Sequence, residues 1–400
     1  MDLRSGLPFQ LIKSGLLYDY PKLMHDIKTD VVVVGGGISG ALMAFHFIEA
    51  GIDCVVLDSR AIGLGSSCAS TSLLQYEIDT PLHELIELVG YDHAVRSYTL
   101  CAESIHTLGG IAKKIGLKDF HFKNSLYYAA SEKDVDKLYQ EFLARKKAGF
   151  DVTYLQQDEI QREFGFDAPT AILSQIGAQT DAYLMTHLLH QYSIKKGAQV
   201  FDRTAVEKVD DKGNHMVLYT KNGFNITANK VVYATGYEVS EMLDKNIVKL
   251  NSTFACISEQ FSEEQAYWDK NTLVWNTANP YLYIRTTEDR RILIGGRDEK
   301  YNNADLRDQL IPKKTEQLMK DFKTLFPDID FIPEYSWAGT FGATKDGLPY
   351  IGEHKKYPKS YFSLGFGGNG ITFSLIGAEI IRDLYLGKAV PDAKLFSFDR

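Results

Sequence analysis

Cysteine is scarce in this chain: Cys54, Cys68, Cys101 and Cys256 are the only four in 400 residues, and none stands at CxxC or other metal-ligand spacing. That argues against a metal site and against a disulfide framework, and fits reduced cysteines that pack in a cytoplasmic chain. Long apolar runs are missing too. Asp2, Arg4, Lys13, Asp19, Lys22 and Asp26 interrupt the opening residues, so no signal core is expected there. No stretch reaches the length of a membrane span. Proline is sparse, at 11 residues, and no proline-rich linker, low-complexity tract or internal repeat divides the chain. There is no run of like charge, and 52 acidic residues against 44 basic ones leave a net charge of −8. That balance argues against nucleic acid or an anionic membrane as the main partner.

What is present is ordinary globular composition, 44% apolar and 24% charged, with generous aromatics: 23 Tyr and 22 Phe. Aromatics in that number suit a large core or an aromatic-lined pocket. Four hundred residues exceed what one core usually organises, so two domains are expected.

The most informative segment is Gly35-Gly36-Gly37-Ile38-Ser39-Gly40, directly after the apolar run Val31-Val32-Val33-Val34. β-Branched residues in succession suit a buried parallel strand. Gly35 permits a tight turn, Gly37 lets backbone approach a pyrophosphate, and Gly40 permits close helix–strand packing. The helix expected from Ser39 to Ala50 aims its positive end at phosphate. The next apolar run, Cys54-Val55-Val56-Leu57, ends on Asp58, placed for a ribose hydroxyl. Strand, glycine turn, helix, strand and acid together predict a dinucleotide-binding unit.

Further along, helical spacing is read from Pro81 to Gly116, from Lys133 to Ala148, from Tyr183 to Lys196, from Lys313 to Leu325 and from Ile371 to Tyr385. Strands are expected at Ser125–Ala130, Gln199–Phe201, Thr204–Lys208, Met216–Thr220, Phe224–Asn229, Lys230–Gly236 and Tyr361–Leu364. Between Leu250 and Trp337 the pattern alternates and is rich in aromatics, as in an antiparallel sheet. Gly6 to Pro21 is irregular and is expected to drape over the surface. The fold class is therefore α/β plus α+β. A Rossmann-like nucleotide-binding domain (28–91, 160–247 and 335–400) is interleaved with an antiparallel-sheet substrate domain (92–159 and 248–334), behind an N-terminal extension, 1–27.

FAD is favoured over a nicotinamide cofactor. The dinucleotide unit comes early, Ala234-Thr235-Gly236 ends a second buried strand, and Gly365-Phe366-Gly367-Gly368-Asn369-Gly370 offers another phosphate-style turn. Only 30 residues follow Gly370, enough for a helix but not for a second βαβαβ half. That helix is better placed with its N-terminus against a flavin ring, where its dipole stabilises negative charge.

In these segments the chain resembles the FAD-dependent amine and amino-acid oxidases typified by D-amino-acid oxidase, glycine oxidase and sarcosine oxidase. The resemblance covers most of the chain. It rests on Gly35–Gly40 with Asp58, on Gly63-Leu64-Gly65-Ser66-Ser67-Cys68-Ala69-Ser70-Thr71, on Val206, on Ala234–Gly236, and on Trp337-Ala338-Gly339 through Asp346-Gly347-Leu348-Pro349 to Gly365–Ile371. It implies that Gly35, Gly37, Ile38, Ser39, Gly40, Asp58, Ser59 and Arg60 hold the nucleotide half of FAD, with Val206 at the adenine. It further implies that Ser66, Ser70 and Thr71 run past pyrophosphate and flavin beside Ala234, Thr235 and Gly236, and that Gly367, Gly368, Asn369, Gly370 and Ile371 hold the pyrimidine edge. Covalent flavin attachment in relatives uses His or Cys, which makes Cys68 a candidate.

The reaction so implied is oxidation of a C–N bond of a small amine or amino acid by hydride transfer to flavin, giving an imine that hydrolyses, with dioxygen or another electron acceptor closing the cycle. Tyr281, Tyr283 and Arg285 alternate and are expected on one face of a strand, where they could line the pocket; alternatively Arg285 pairs with Glu288 or Asp289. Family members often carry an Arg before the Asp-Gly-Leu-Pro motif, but Thr340-Phe341-Gly342-Ala343-Thr344-Lys345 has none. Either Arg285 or Lys345 takes that task, or the substrate lacks an α-carboxylate. Lys345 could instead promote reaction of reduced flavin with dioxygen. Gln75 and Tyr76 could reach the pocket, and His46 is read as structural. Two alternatives stand beside this reading. One is oxidation of a 2-hydroxy acid or polyol phosphate, which expects a base such as His83, His93, His106, His121 or His354. The other is a flavin-binding electron-relay subunit.

Overall fold

A computed structural model describes residues 2–243, 247–301 and 303–400; residues 244–246, inside the expected span 160–247, and Met1, inside 1–27, lie outside them. The valine run forms the strand Ile27–Val34, flanked in parallel by Cys54–Leu57 on one side and Asn225–Tyr233 on the other. Gln199–Phe201 extends the parallel set beyond Cys54–Leu57, and Tyr357–Leu364 pairs in parallel with the end of Asn225–Tyr233. Val31, Val32 and Val33 are wholly buried, as strands covered on both faces must be. Helix Ile38–Glu49 packs with Ala182–Lys195 and Gly370–Tyr385 on one face of this sheet. A meander, Val206–Asp211 with Met216–Thr220, and the strand Tyr350–His354, antiparallel to Tyr357–Leu364, complete its eight strands.

The second sheet has nine strands in the order Arg4–Gly6, Pro333–Ala343, Lys249–Ser258, Ile292–Glu299, Tyr283–Thr286, Thr272–Asn276, Asn124–Tyr128, Thr170–Ser174 and Val152–Gln156. All neighbours are antiparallel except Thr272–Asn276 and Asn124–Tyr128. Helix Ala304–Leu325 covers one face, burying Leu318 and Phe322 against Phe254, Ile292 and Ile294. The chain is thus a Rossmann-like sheet interleaved with an antiparallel one.

Several elements differ from the sequence reading. Phe224–Asn229 and Lys230–Gly236 are one continuous strand, because its first half pairs with Met216–Thr220 and its second with Tyr357–Leu364. The helical stretch from Pro81 breaks at Gly90, whose φ of +88° no helix tolerates, into Leu82–Val89 and Tyr91–Ile115. Helix Ala304–Leu325 starts nine residues early and carries Pro312 inside it; Asn303 caps it by accepting the Leu306 N–H at 3.0 Å. Residues 4–14 do not merely drape: Arg4–Gly6 is an edge strand and Phe9–Ser14 a helix. Thr170–Ser174 joins the antiparallel sheet rather than the Rossmann-like one, and Pro333–Ala343 carries that sheet past residue 335. Helix Tyr91–Ile115 packs on Gly370–Tyr385, on the nucleotide side. Local patterning identifies a buried strand or helix without naming its neighbour.

Candidate active site

An elongated cavity of about 380 Å³ runs from the glycine turn to the antiparallel sheet. At one end lie Gly35, Gly37, Ile38 and Ser39, with Asp58, Ser59, Arg60 and Val206. The first turn of helix Ile38–Glu49 therefore opens on it, aiming its N-terminus into the space. Asp58 stiffens this end, accepting the Gly36 N–H at 2.7 Å and the Arg60 N–H at 2.8 Å. Its carboxylate has lone pairs to spare for a ribose hydroxyl; burial raises its pKa. Below the turn, fully buried His190 reaches Gly36 O at 3.1 Å, and burial lowers its pKa to about 4, keeping it neutral.

Gly40 does not line the cavity; a Cβ there would sit 1.8 Å from Gly35 O, so glycine is required by the turn itself. Ser66, Ser70 and Thr71 line the middle beside Ala234, Thr235 and Gly236. Ser67 Oγ accepts the Ile38 N–H at 2.9 Å. Gly367, Gly368, Gly370 and Ile371 close the far side. Asn369 lies behind them, donating to Gln75 O at 3.1 Å and Glu77 O at 2.8 Å. Cys68 is buried off the cavity wall with its thiol on Gly65 O at 3.2 Å, and burial pushes its pKa up to about 11. His46 contacts Arg382 at 3.1 Å, outside the site.

The roof comes from the antiparallel sheet. Tyr281 and Tyr283 line the cavity, ring centroids 6.0 Å apart. Gly295 stands opposite Tyr283 and leaves the room its ring occupies, since a Cβ would fall 2.3 Å from the phenol oxygen. Burial raises both tyrosine pKa values, Tyr283 to about 12, so both hydroxyls stay protonated at neutral pH. Arg285 is two residues beyond Tyr283 but not in the cavity wall: its buried guanidinium donates from Nε to Thr71 O at 2.6 Å. No pair with Glu288 or Asp289 forms. Lys345 donates to Arg400 O at 2.8 Å and is likewise off the cavity.

Sequence reasoning missed Asp298 and Thr253, both in the wall, and named Trp337 only within the family motif. Strict alternation puts Asp298 on the same side as Ile292 and Ile294, which face the core under the helix. The strand does not alternate strictly. Gly296 at φ +133° and Arg297 at φ +58° form a bulge where the register against Ser252–Phe254 shifts, and Asp298 emerges on the cavity side. The Gly295-Gly296 pair was the available signal. Burial first, and then the charge of Asp79, pushes the Asp298 carboxyl up to about 6, against an opposing Thr253 hydrogen bond. Asp79 retains a solvent-accessible surface at the cavity edge, although protein crowds its other sides and raises its pKa. It accepts the Gly368 N–H at 2.8 Å and the Tyr281 hydroxyl at 3.3 Å.

The Asp298 value carries a sign. A folded pKa above the ordinary 3.8 means folding is helped at acid pH and loses that help as pH rises through 6. Asp298→Asn should therefore stabilise the protein at pH 8 by roughly 2–3 kcal/mol, with the gap narrowing towards pH 4.5; parallel melts at the two pH values measure it.

Residues 30–384 match the family described as FAD dependent oxidoreductase. The chain belongs to that family. This oxidoreductase is 25% identical over 379 residues to the glycine oxidase of Bacillus subtilis, covering 92% of this chain and 96% of the relative. It is also 25% identical over 380 residues to the gamma-glutamylputrescine oxidoreductase of Escherichia coli, covering 92% and 86% respectively. Among solved structures, the glycine oxidase of Geobacillus kaustophilus superposes with a TM-score of 0.78 at 22% identity, covering 94% of this chain and 99% of the other. FAD is its cofactor, and the cavity fits: a helix N-terminus at one end, a glycine-lined floor, and Ser66 Oγ buried in its wall without a partner. Among the described residues no group of His, Cys, Asp and Glu could hold a metal ion, and no helix is long and apolar enough to cross a membrane.

Proposed function

We propose that this oxidoreductase oxidises the C–N bond of a small amine or amino acid, giving an imine that hydrolyses to a carbonyl compound. The supporting observation is the roofed end of the cavity, walled by protonated Tyr281 and Tyr283 and containing no histidine among the described residues. Removing hydride from a neutral amine needs placement and exclusion of water more than a strong base. When bound, FAD supplies the two-electron acceptor. The chain supplies the nucleotide grip through the Gly35–Ser39 turn and Asp58, and the lid through the tyrosines.

The hydroxy-acid reading wants an imidazole base. His83 instead meets Glu141 at 2.8 Å, His93 meets Leu395 O at 3.0 Å and His121 meets Glu288 at 3.0 Å, while His106 and His354 lie against Phe122 and Phe398. The names of the glycine oxidase and gamma-glutamylputrescine relatives support nitrogen chemistry. Anaerobic mixing of the FAD-loaded protein with amines, amino acids and N-methyl amino acids should bleach the flavin absorbance with at least one of them. Reoxidation in air would then identify dioxygen as acceptor. Bound FAD that no member reduces would overturn the proposal in favour of an electron-relay role.

A further inference from the structure

The charges around the cavity are one-sided. Among the described residues, the one Lys or Arg in its wall is Arg60, at the nucleotide end and paired with Glu238 at 2.5 Å. Arg285 is committed to Thr71 O and Lys345 to Arg400 O. No cation therefore awaits a substrate carboxylate at the tyrosine end.

Negative groups are there instead. Asp298 stands between two residues whose charges are already matched: Arg297 pairs with Asp321, and Glu299 with Lys314 at 2.6 Å. Among the described residues Asp298 has no ion-pair partner, and its Oδ1 has no hydrogen-bond donor. A carboxylate in that position is costly unless something brings it a proton or a positive charge. Asp79, which accepts the Tyr281 hydroxyl at 3.3 Å, adds a second carboxylate at the edge. The neighbouring tyrosine rings suit an alkylammonium, whose positive charge is attracted to an aromatic face.

We propose that Asp298, assisted by Asp79 and the rings of Tyr281 and Tyr283, receives a second cationic group of the substrate, so that this oxidoreductase acts on diamines or longer polyamine-type molecules lacking an α-carboxylate. The inference rests on the amine-oxidation reading above and narrows it to a substrate class. One ammonium end is held at Asp298 while the C–N bond at the other end lies along the cavity.

The test uses the FAD-loaded protein with 1,4-diaminobutane, butylamine and 4-aminobutanoate, which share a four-carbon chain and differ in the remote group. Flavin reduction should half-saturate at a concentration at least tenfold lower for the diamine than for butylamine, and highest for 4-aminobutanoate. Asp298→Asn should erase the preference for the diamine over butylamine; Asp79→Asn should weaken it in part. Binding is read separately, without turnover, by calorimetry with 1,4-bis(trimethylammonio)butane against butyltrimethylammonium; neither has an amine lone pair to oxidise. The dication should bind at least tenfold tighter, and only in the protein that keeps Asp298. If butylamine and the diamine reduce flavin alike and Asp298→Asn changes neither, the cation subsite is overturned and amine oxidation stands. If the dication binds through Asp298 but no amine reduces the flavin, the subsite stands and the amine-oxidation reading falls.

Discussion

Arg145→Met should destabilise the protein by about 3–5 kcal/mol, the usual cost of leaving buried charge without its partner. Arg145 lies on helix Val135–Lys147 with no exposed surface. Its Nε donates to Glu141 Oε1 at 2.7 Å, and its Nη1 to Glu77 Oε1 at 3.1 Å and Tyr76 Oη at 3.4 Å. Both carboxylates are themselves buried. Burial works to raise both pKa values: for Glu77 it prevails, whereas at Glu141 the Arg145 charge and the His83 hydrogen bonds outweigh it and lower the pKa to about 2. Removing the guanidinium strands both acids. The effect reaches the cavity, because Glu77 O holds the Asn369 side chain and Glu141 accepts the Leu82 and His83 N–H groups that start the next helix. Denaturant titration should show the loss of stability together with weaker FAD retention. Adding Glu77→Gln and Glu141→Gln to Arg145→Met should recover part of it, since the uncompensated charges go as well.

Gly40→Ala should weaken FAD binding at least tenfold, or by about 1.4 kcal/mol. The new Cβ would fall 1.8 Å from Gly35 O and 2.9 Å from Gly35 C. These are backbone atoms of the turn itself, so no side chain can move aside. The helix must lift from the strand, and its N-terminus then no longer points into the cavity. Gly110→Ala is the matched control: Gly110 sits in helix Tyr91–Ile115 with nothing within 4 Å of the added carbon. It should leave FAD binding intact and stabilise by roughly 0.5–1 kcal/mol. FAD content after gel filtration, with a melt of each variant, separates the two outcomes.

The nucleotide end was legible in the sequence because its determinants are local. Gly35 to Asp58 spans 24 residues, and each glycine's task follows from the strand before it and the helix after it. The substrate end was not. Alternation put Arg285 with the tyrosines, but only the chain's return at Thr71, 214 residues earlier, shows where the guanidinium goes. Asp79 meets Gly368 across 289 residues, a pairing no local pattern encodes. The amphipathic spacing from Lys313 to Leu325 marks only the second half of helix Ala304–Leu325, although Asn303 is a usable cap signal.

By itself, then, the order of amino acids determined the dinucleotide unit, the combination of a Rossmann-like sheet with an antiparallel one, and the flavin family. The dinucleotide unit follows from short-range rules of strand burial, glycine turns and helix polarity, whereas the family comes from the resemblance of motifs spread along the chain. Tertiary structure alone decided the electrostatics of the roofed end. A bulge at Gly296-Arg297 turned Asp298 inward, and distant carbonyls drew Arg285 and Lys345 away. Charge acts through space, so which groups face one cavity is settled only when distant segments meet.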